Sequence, residues 1–110
     1  MQRISEYRTM WLLVFFDLPT LTKADRREHT RFRENLLKSG FKRFQLSIYM
    51  RHCFSMENAK AYINRIKNFM PDKGKVSILN ITDKQFGRIL LFYGAKEVDP
   101  PPETQQLEIF

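Results

Sequence analysis

Asp17 ends an unbroken apolar run, Met10-Trp11-Leu12-Leu13-Val14-Phe15-Phe16, and is followed at once by Leu18-Pro19. A carboxylate in that place has a bland reading, a turn residue at a strand end. It is also the donor type a hard divalent cation takes. Octahedral Mg²⁺ is commonly held by one or two carboxylates, with waters and substrate phosphate completing the shell. One Asp17 is therefore a poor site, and two copies related by a two-fold axis are a better one. Carboxylates brought together repel unless a cation lies between them. A metal there lowers the pKa of a bound water and neutralises a phosphate under attack. Asp17 is the candidate catalytic and metal-ligating residue.

The arginines are a second signal. Arg26, Arg27, Arg31 and Arg33 fall within eight residues, and Lys38, Lys42, Arg43 and Arg51 follow. Guanidinium forks match phosphate oxygens, and such contacts bind nucleic acid without reading its bases. Arg26, Arg27, Arg31, Arg33, Lys42, Arg43 and Arg51 are the candidate nucleic-acid-binding residues. Asp25, Glu28 and Glu34 neutralise part of the helix, so a salt-bridged solvated face is the alternative.

Other chemistries find little support. His29 lies on the apolar side of its helix and reads as a packed core histidine. His52 and Cys53 have no matching second pair for zinc. There is no GxGxxG, Walker A loop or HExxH, and Ser47 lies in no nucleophile elbow. The aromatic signature of an RRM sheet is absent, which argues against base stacking there.

The elements that must hold these residues follow from periodicity. Met10 to Phe16 is aromatic and branched, too short for a bilayer, and reads as a central strand buried on both faces. Thr22 with Asp25 resembles a capping box, so a helix starts near Lys23 and carries His29, Phe32 and Leu36 inward until Gly40. Phe41 to Arg51 alternates, with Phe44, Leu46, Ile48 and Met50 on one parity. It is one long strand, or two with a kink near Gln45-Leu46-Ser47. Ser55 caps a second helix with Met56, Ala59, Ile63, Ile66 and Met70 in register, stopped by Pro71 to Gly74. Lys75 to Thr82 is a strand, Asp83-Lys84-Gln85 a turn, and Gly87 to Tyr93 a further apolar strand. This order predicts an α+β, ferredoxin-like βαββαβ domain over residues 1–94 with extra C-terminal strands.

Two helices cover one sheet face, yet the first strand is apolar on both. Leaving three large side chains wet forgoes about 5–9 kcal/mol, against a net stability of about 5–15 kcal/mol. A second copy on the same face is the expected cover, giving a homodimer. The C-terminal strands folding back are the alternative.

Charge and composition complete the reading. The formal charge is +7, and 43% of the 110 residues are apolar, so this is a folded basic body. Sixteen basic and six acidic residues lie between Lys23 and Arg88, whereas residues 95–110 form a Pro-rich acidic segment. Its end, with Leu107 and Ile109 on one parity and Phe110 last, suits a short docking strand. The single Cys53, the want of a signal-peptide pattern and the short apolar runs place the protein in the cytoplasm, away from membranes.

These residues together resemble the small CRISPR-associated adaptation protein, the non-integrase subunit of the spacer-acquisition complex, a family described as metal-dependent endoribonucleases. The resemblance rests on the first strand ending in Asp17 and the Arg-rich helix closing with Leu37-Lys38-Ser39-Gly40-Phe41. It rests also on Arg43-Phe44-Gln45-Leu46-Ser47-Ile48-Tyr49 and Ile81-Thr82-Asp83-Lys84-Gln85-Phe86-Gly87-Arg88. Asp17-Leu18-Pro19 and the long first helix look most like variants found beside a large single-protein RNA-guided effector. The resemblance implies a homodimer with Mg²⁺ shared between two Asp17 residues. It implies duplex DNA on the basic surface, with single-stranded RNA as an alternative substrate. It also implies an integrase partner, for which Leu107, Ile109 and Phe110 are the docking candidates. A genuine nuclease with a toxin-like role competes with this reading, and an unrelated ferredoxin-like RNA-binding or regulatory domain is the remote alternative.

Overall fold

The computed structural model describes residues 9–100; the expected docking residues Leu107, Ile109 and Phe110 lie outside them. Strand β1 (Met10–Asp17) is central and is hydrogen-bonded on both edges, to β3 (Ile48–Cys53) and to β4 (Lys75–Thr82). Strand β2 (Lys42–Gln45) extends the sheet beyond β3, in the order β2-β3-β1-β4, with every pairing antiparallel. Helices α1 (Lys23–Lys38) and α2 (Met56–Lys67) complete the ferredoxin-like order βαββαβ. A strand with neighbours on both edges and packing on both faces meets little water, which is why its sequence does not alternate.

Successive β1 side chains serve opposite faces. Met10, Leu12, Val14 and Phe16 pack toward the helices with Phe32, Leu36, Ala59 and Ile66. Phe16 meets Phe32 edge-on at 5.2 Å and His29 at 5.8 Å between ring centroids, so His29 packs at the core margin. The α1 start is the capping box the sequence predicts: Thr22 Oγ1 accepts from the Asp25 N–H at 3.0 Å, and Asp25 Oδ2 from the Thr22 N–H at 3.2 Å. Ser55 caps α2 by accepting from the Asn58 N–H at 3.0 Å.

The other face needs a correction. The two-helix argument leaves it to a second copy or to the C-terminal strands, but part of it is covered by residues just after β4. A short helix α3 (Asp83–Phe86), capped by Thr82 and Gln85, folds across it. Phe86 stacks on Trp11 at 4.0 Å with an interplanar angle of 8°. Trp11, Leu13, Met50 and Phe86 form a second buried cluster, with Phe15, Ile48, Ile81 and Ile89 beside it. The Trp11 indole N–H donates to Asp83 Oδ1 at 2.6 Å, and the Asp83 N–H to the Thr9 carbonyl at 3.0 Å. The predicted turn at Asp83-Lys84-Gln85 is thus a helix, and its capping box, Thr82 with Gln85 three residues on, was visible in the sequence.

Two local expectations also change. Phe41 to Arg51 takes the second of its two expected forms, two strands β2 and β3 broken near Gln45-Leu46-Ser47, but Leu46 leaves the parity it shares in the sequence with Phe44 and Ile48 and lies 78% exposed at the hairpin tip. A register shift between Arg43 and Gln45 breaks the alternation. The strand predicted over Gly87 to Tyr93 is only β5 (Leu91–Tyr93). It pairs with β6 (Lys96–Val98) in a two-stranded sheet turned at Gly94.

Candidate active site at the end of the central strand

Directly opposed residues of an antiparallel pair project to the same face. The register matches Trp11 with Ile81, Leu13 with Leu79, Phe15 with Ser77 and Asp17 with Lys75. Asp17 therefore belongs to the face away from α1 and α2. That face is graded: α3 covers its Trp11 end, and its Asp17 end is open. Asp17 and Lys75 are exposed, and with Phe15, Phe16, Ser47, Ile48 and Ser77 they line an open cleft of about 370 Å³.

Two backbone features and an ion pair fix this end. The Phe16 N–H donates to the Ser47 carbonyl at 3.0 Å, which holds the β2–β3 turn against β1. Gly74, with φ +88°, lies so close that an added Cβ would come 2.7 Å from the Asp17 carbonyl oxygen. Only glycine accepts both that φ and that contact. Lys73, on the other side of Gly74, turns to Asp25 at 3.7 Å. The hydrogen bond from the Thr22 backbone N–H, with Lys73 adding to it, holds the Asp25 carboxyl below the usual carboxylate range.

The cleft offers one carboxylate and two hydroxyls, from Asp17, Ser47 and Ser77. This all-oxygen donor set suits a hard cation such as Mg²⁺ and is wrong for zinc or copper. Among the described residues no group of three or more His, Cys, Asp or Glu side chains is placed to hold a metal. The donors fit Mg²⁺ in type, and a full shell needs oxygens from water, phosphate or a second copy.

The candidate cations are spread over separate surfaces. Arg26, Arg27 and Arg31 line a shallow exposed groove on α1 with Lys23, Thr30 and Glu34. Within it Arg31 pairs with Glu28 at 3.0 Å, and Arg26 Nη1 donates to the carbonyls of Thr20 and Leu21, closing the β1–α1 loop. Arg33 is half-buried, its Nε out of contact with solvent. Lys42 and Arg43 are exposed on β2, at the other sheet edge from β4, beside a groove shared with Leu90, Phe92 and Tyr93. Arg51 points to the helix side: Nη2 donates to the Tyr62 hydroxyl at 2.6 Å, and the guanidinium lies 4.0 Å over that ring. Nη1 donates to the Gly40 carbonyl at 3.3 Å.

Lys75 and Ser77 are cleft residues that sequence reasoning missed, as is the role of Gly74 beside them. A lone lysine or serine on an exposed parity carries no signal, and only the β1–β4 register brings them to Asp17. His52 meets Trp11 edge-on at 5.1 Å, and Cys53 is buried under the helices, its thiol pushed up to about 11 by desolvation.

The fold and the strand-end carboxylate define a class, a small ferredoxin-like protein with an oxygen-donor cleft at the tip of β1. A crystal structure of Cas2 superposes with a TM-score of 0.53 at 19% identity, covering 77% of this chain and 88% of that one, which supports the fold. Residues 10–89 match the profile of CRISPR associated protein Cas2. The CRISPR-associated endoribonuclease Cas2 of Flavobacterium psychrophilum is 51% identical over 108 residues, 98% of this chain and 94% of that protein. The protein of the same name from Parvibaculum lavamentivorans is 44% identical over 101 residues, 92% of this chain and all of its own. The chain belongs to the Cas2 family.

Proposed function

We propose that this protein is a CRISPR adaptation subunit of the cytoplasm, a two-fold homodimer that cleaves phosphodiesters at Asp17 and holds duplex DNA while bridging integrase subunits. The observation that carries the nuclease half is the open cleft joining Asp17, Ser47, Ser77 and Lys75 at the end of β1. Family membership, and relatives named endoribonucleases, support the same half. Asp17 is the residue that would hold Mg²⁺, with Ser47 and Ser77 as neighbouring oxygen donors. When bound, the metal would neutralise the attacked phosphate and make a water more acidic.

The chain's own groups do the rest. An Asp17 carboxylate oxygen orients a water and accepts its proton as the water oxygen bonds to phosphorus. The scissile P–O bond breaks, and the departing oxygen takes a proton from solvent. Phe15 and Ile48 form the apolar floor of the cleft. The exposed cations of α1 and β2 supply the backbone contacts that hold a duplex, and the acidic segment through Leu107, Ile109 and Phe110 docks the integrase subunit.

The test compares wild type with Asp17→Asn in Mg²⁺. Cleavage of RNA and of duplex DNA disappears in the variant, while dimerisation and duplex affinity are retained. Cleavage that persists in the purified variant overturns the assignment. Deleting residues 103–110 weakens the integrase complex and leaves duplex binding unchanged; normal integrase binding by the truncated protein overturns the docking role.

A further inference from the structure

The β1–β4 register places one more charged group in the Asp17 cleft. Lys75 is the direct partner of Asp17, projects to the same face and lines the same cleft. Gly74 separates two lysines of different employment: Lys73 turns back to Asp25 at 3.7 Å, and Lys75 begins β4. With φ +88° and a position where an added Cβ would meet the Asp17 carbonyl and Leu18, Gly74 fixes where β4 starts relative to the end of β1. The position of Lys75 beside Asp17 is therefore set by backbone hydrogen bonds and by a residue that tolerates no Cβ.

We propose that Lys75 is the phosphodiester-binding cation of the Asp17 cleft, contacting a non-bridging oxygen of the group that Asp17 serves. This rests on the nuclease reading of the cleft. A metal-binding carboxylate by itself favours cations and repels a polyanion, so a cleft that admits phosphate needs a positive group beside it. An ammonium on a flexible stem supplies that as a point charge. Among the described residues Lys75 is the one cation lining this cleft, whose other described members are apolar residues, two serines and Asp17. The competing role is a cross-strand counter-ion for Asp17, and the two differ in what happens once Asp17 is neutralised.

The experiment uses full-length protein and a short RNA oligonucleotide, with a DNA of the same sequence in parallel. In the Asp17→Asn background, Lys75→Gln weakens binding about tenfold and lowers the log–log salt slope by about one. Lys75→Arg keeps most of the affinity, and Lys60→Gln on the exposed side of α2 changes nothing. Equal affinity of Asp17→Asn and the Asp17→Asn/Lys75→Gln double variant overturns the proposal and makes Lys75 a counter-ion only. In the active protein, Lys75→Gln lowers kcat/KM about 100-fold, with Lys75→Arg restoring part of it. Full activity of Lys75→Gln, where Asp17→Asn is inactive, overturns the Lys75 role and leaves Asp17 in place. Cleavage surviving Asp17→Asn overturns the nuclease reading itself, and the binding comparison then decides Lys75 alone. Lys75 is exposed, so unchanged melting temperatures check that each variant is folded.

Discussion

At the scale of single residues, Arg51 shows how the same guanidinium serves the fold or a phosphate according to strand parity. Its parity matches Tyr49 and Cys53, which face the helices, and its charge is spread over the Tyr62 ring and the Gly40 carbonyl. Gly40 has φ +86°, and a Cβ there would lie 2.0 Å from Arg51 Nη1, so the helix end and the arginine are built together. Arg51→Ala is expected to cost about 1–3 kcal/mol in urea unfolding, from the two lost hydrogen bonds and the cation–π contact. Lys restores little, because an ammonium makes neither the fork nor the stacked contact. Duplex affinity of Arg51→Ala stays within about twofold of wild type, whereas Arg27→Ala, on the exposed side of α1, weakens it by more.

Cys53 supplies a pH prediction. Burial raises its thiol from the ordinary value of 9.0 to about 11. The folded state then holds a proton that the unfolded state releases, so its stabilising contribution is complete below about pH 9 and is lost as pH rises through about 11. Wild type loses on the order of 2 kcal/mol more than Cys53→Ala across that window, read by urea unfolding at each pH. The native thiol stays unreactive toward thiol reagents near neutral pH.

Among the elements, α3 has an effect out of proportion to its four residues. It covers the Trp11 end of the open sheet face, with the Trp11–Asp83 hydrogen bond and the Trp11–Phe86 ring stack among its contacts. Asp83→Ala leaves the buried indole N–H without its acceptor, at a cost of about 1–3 kcal/mol. Phe86→Ala opens the second cluster at about 3–5 kcal/mol. Trp11 is the sole tryptophan, so its fluorescence reports both changes directly, and a red-shifted native spectrum is expected for Phe86→Ala. An unshifted spectrum would show that the stack contributes little in solution.

For the whole molecule, the partial cover by α3 changes the argument for dimerisation. The energetic need to hide Trp11 and Leu13 is met within one chain. What remains open, apart from the Asp17 cleft, is a band of the sheet around Leu79, which is 45% exposed. A two-fold homodimer burying this band predicts a dimer by sedimentation at micromolar concentration, weakened by Leu79→Lys, while α3 and the Trp11 signal stay intact. A stable monomer overturns it. If the dimer neutralises about six phosphates, its duplex affinity follows salt with a log–log slope near −5 and scarcely depends on base sequence.

Much of this protein is determined by local sequence. The unbroken apolar run and its carboxylate stop specify the central strand and Asp17. Thr22-x-x-Asp25 and Ser55 specify where two helices begin, because caps satisfy orphan N–H groups within a few residues. The ferredoxin-like order follows from that succession of periods. Tertiary structure decides the remainder. Only the register of β4 against β1 brings Lys75 and Ser77 to Asp17, residues nearly sixty positions away in the chain. Only packing shows that α3 closes part of the second face and that Arg51 is turned inward. Such contacts depend on which strand edges pair and which side chains share a face, and no window of sequence around either partner contains that information.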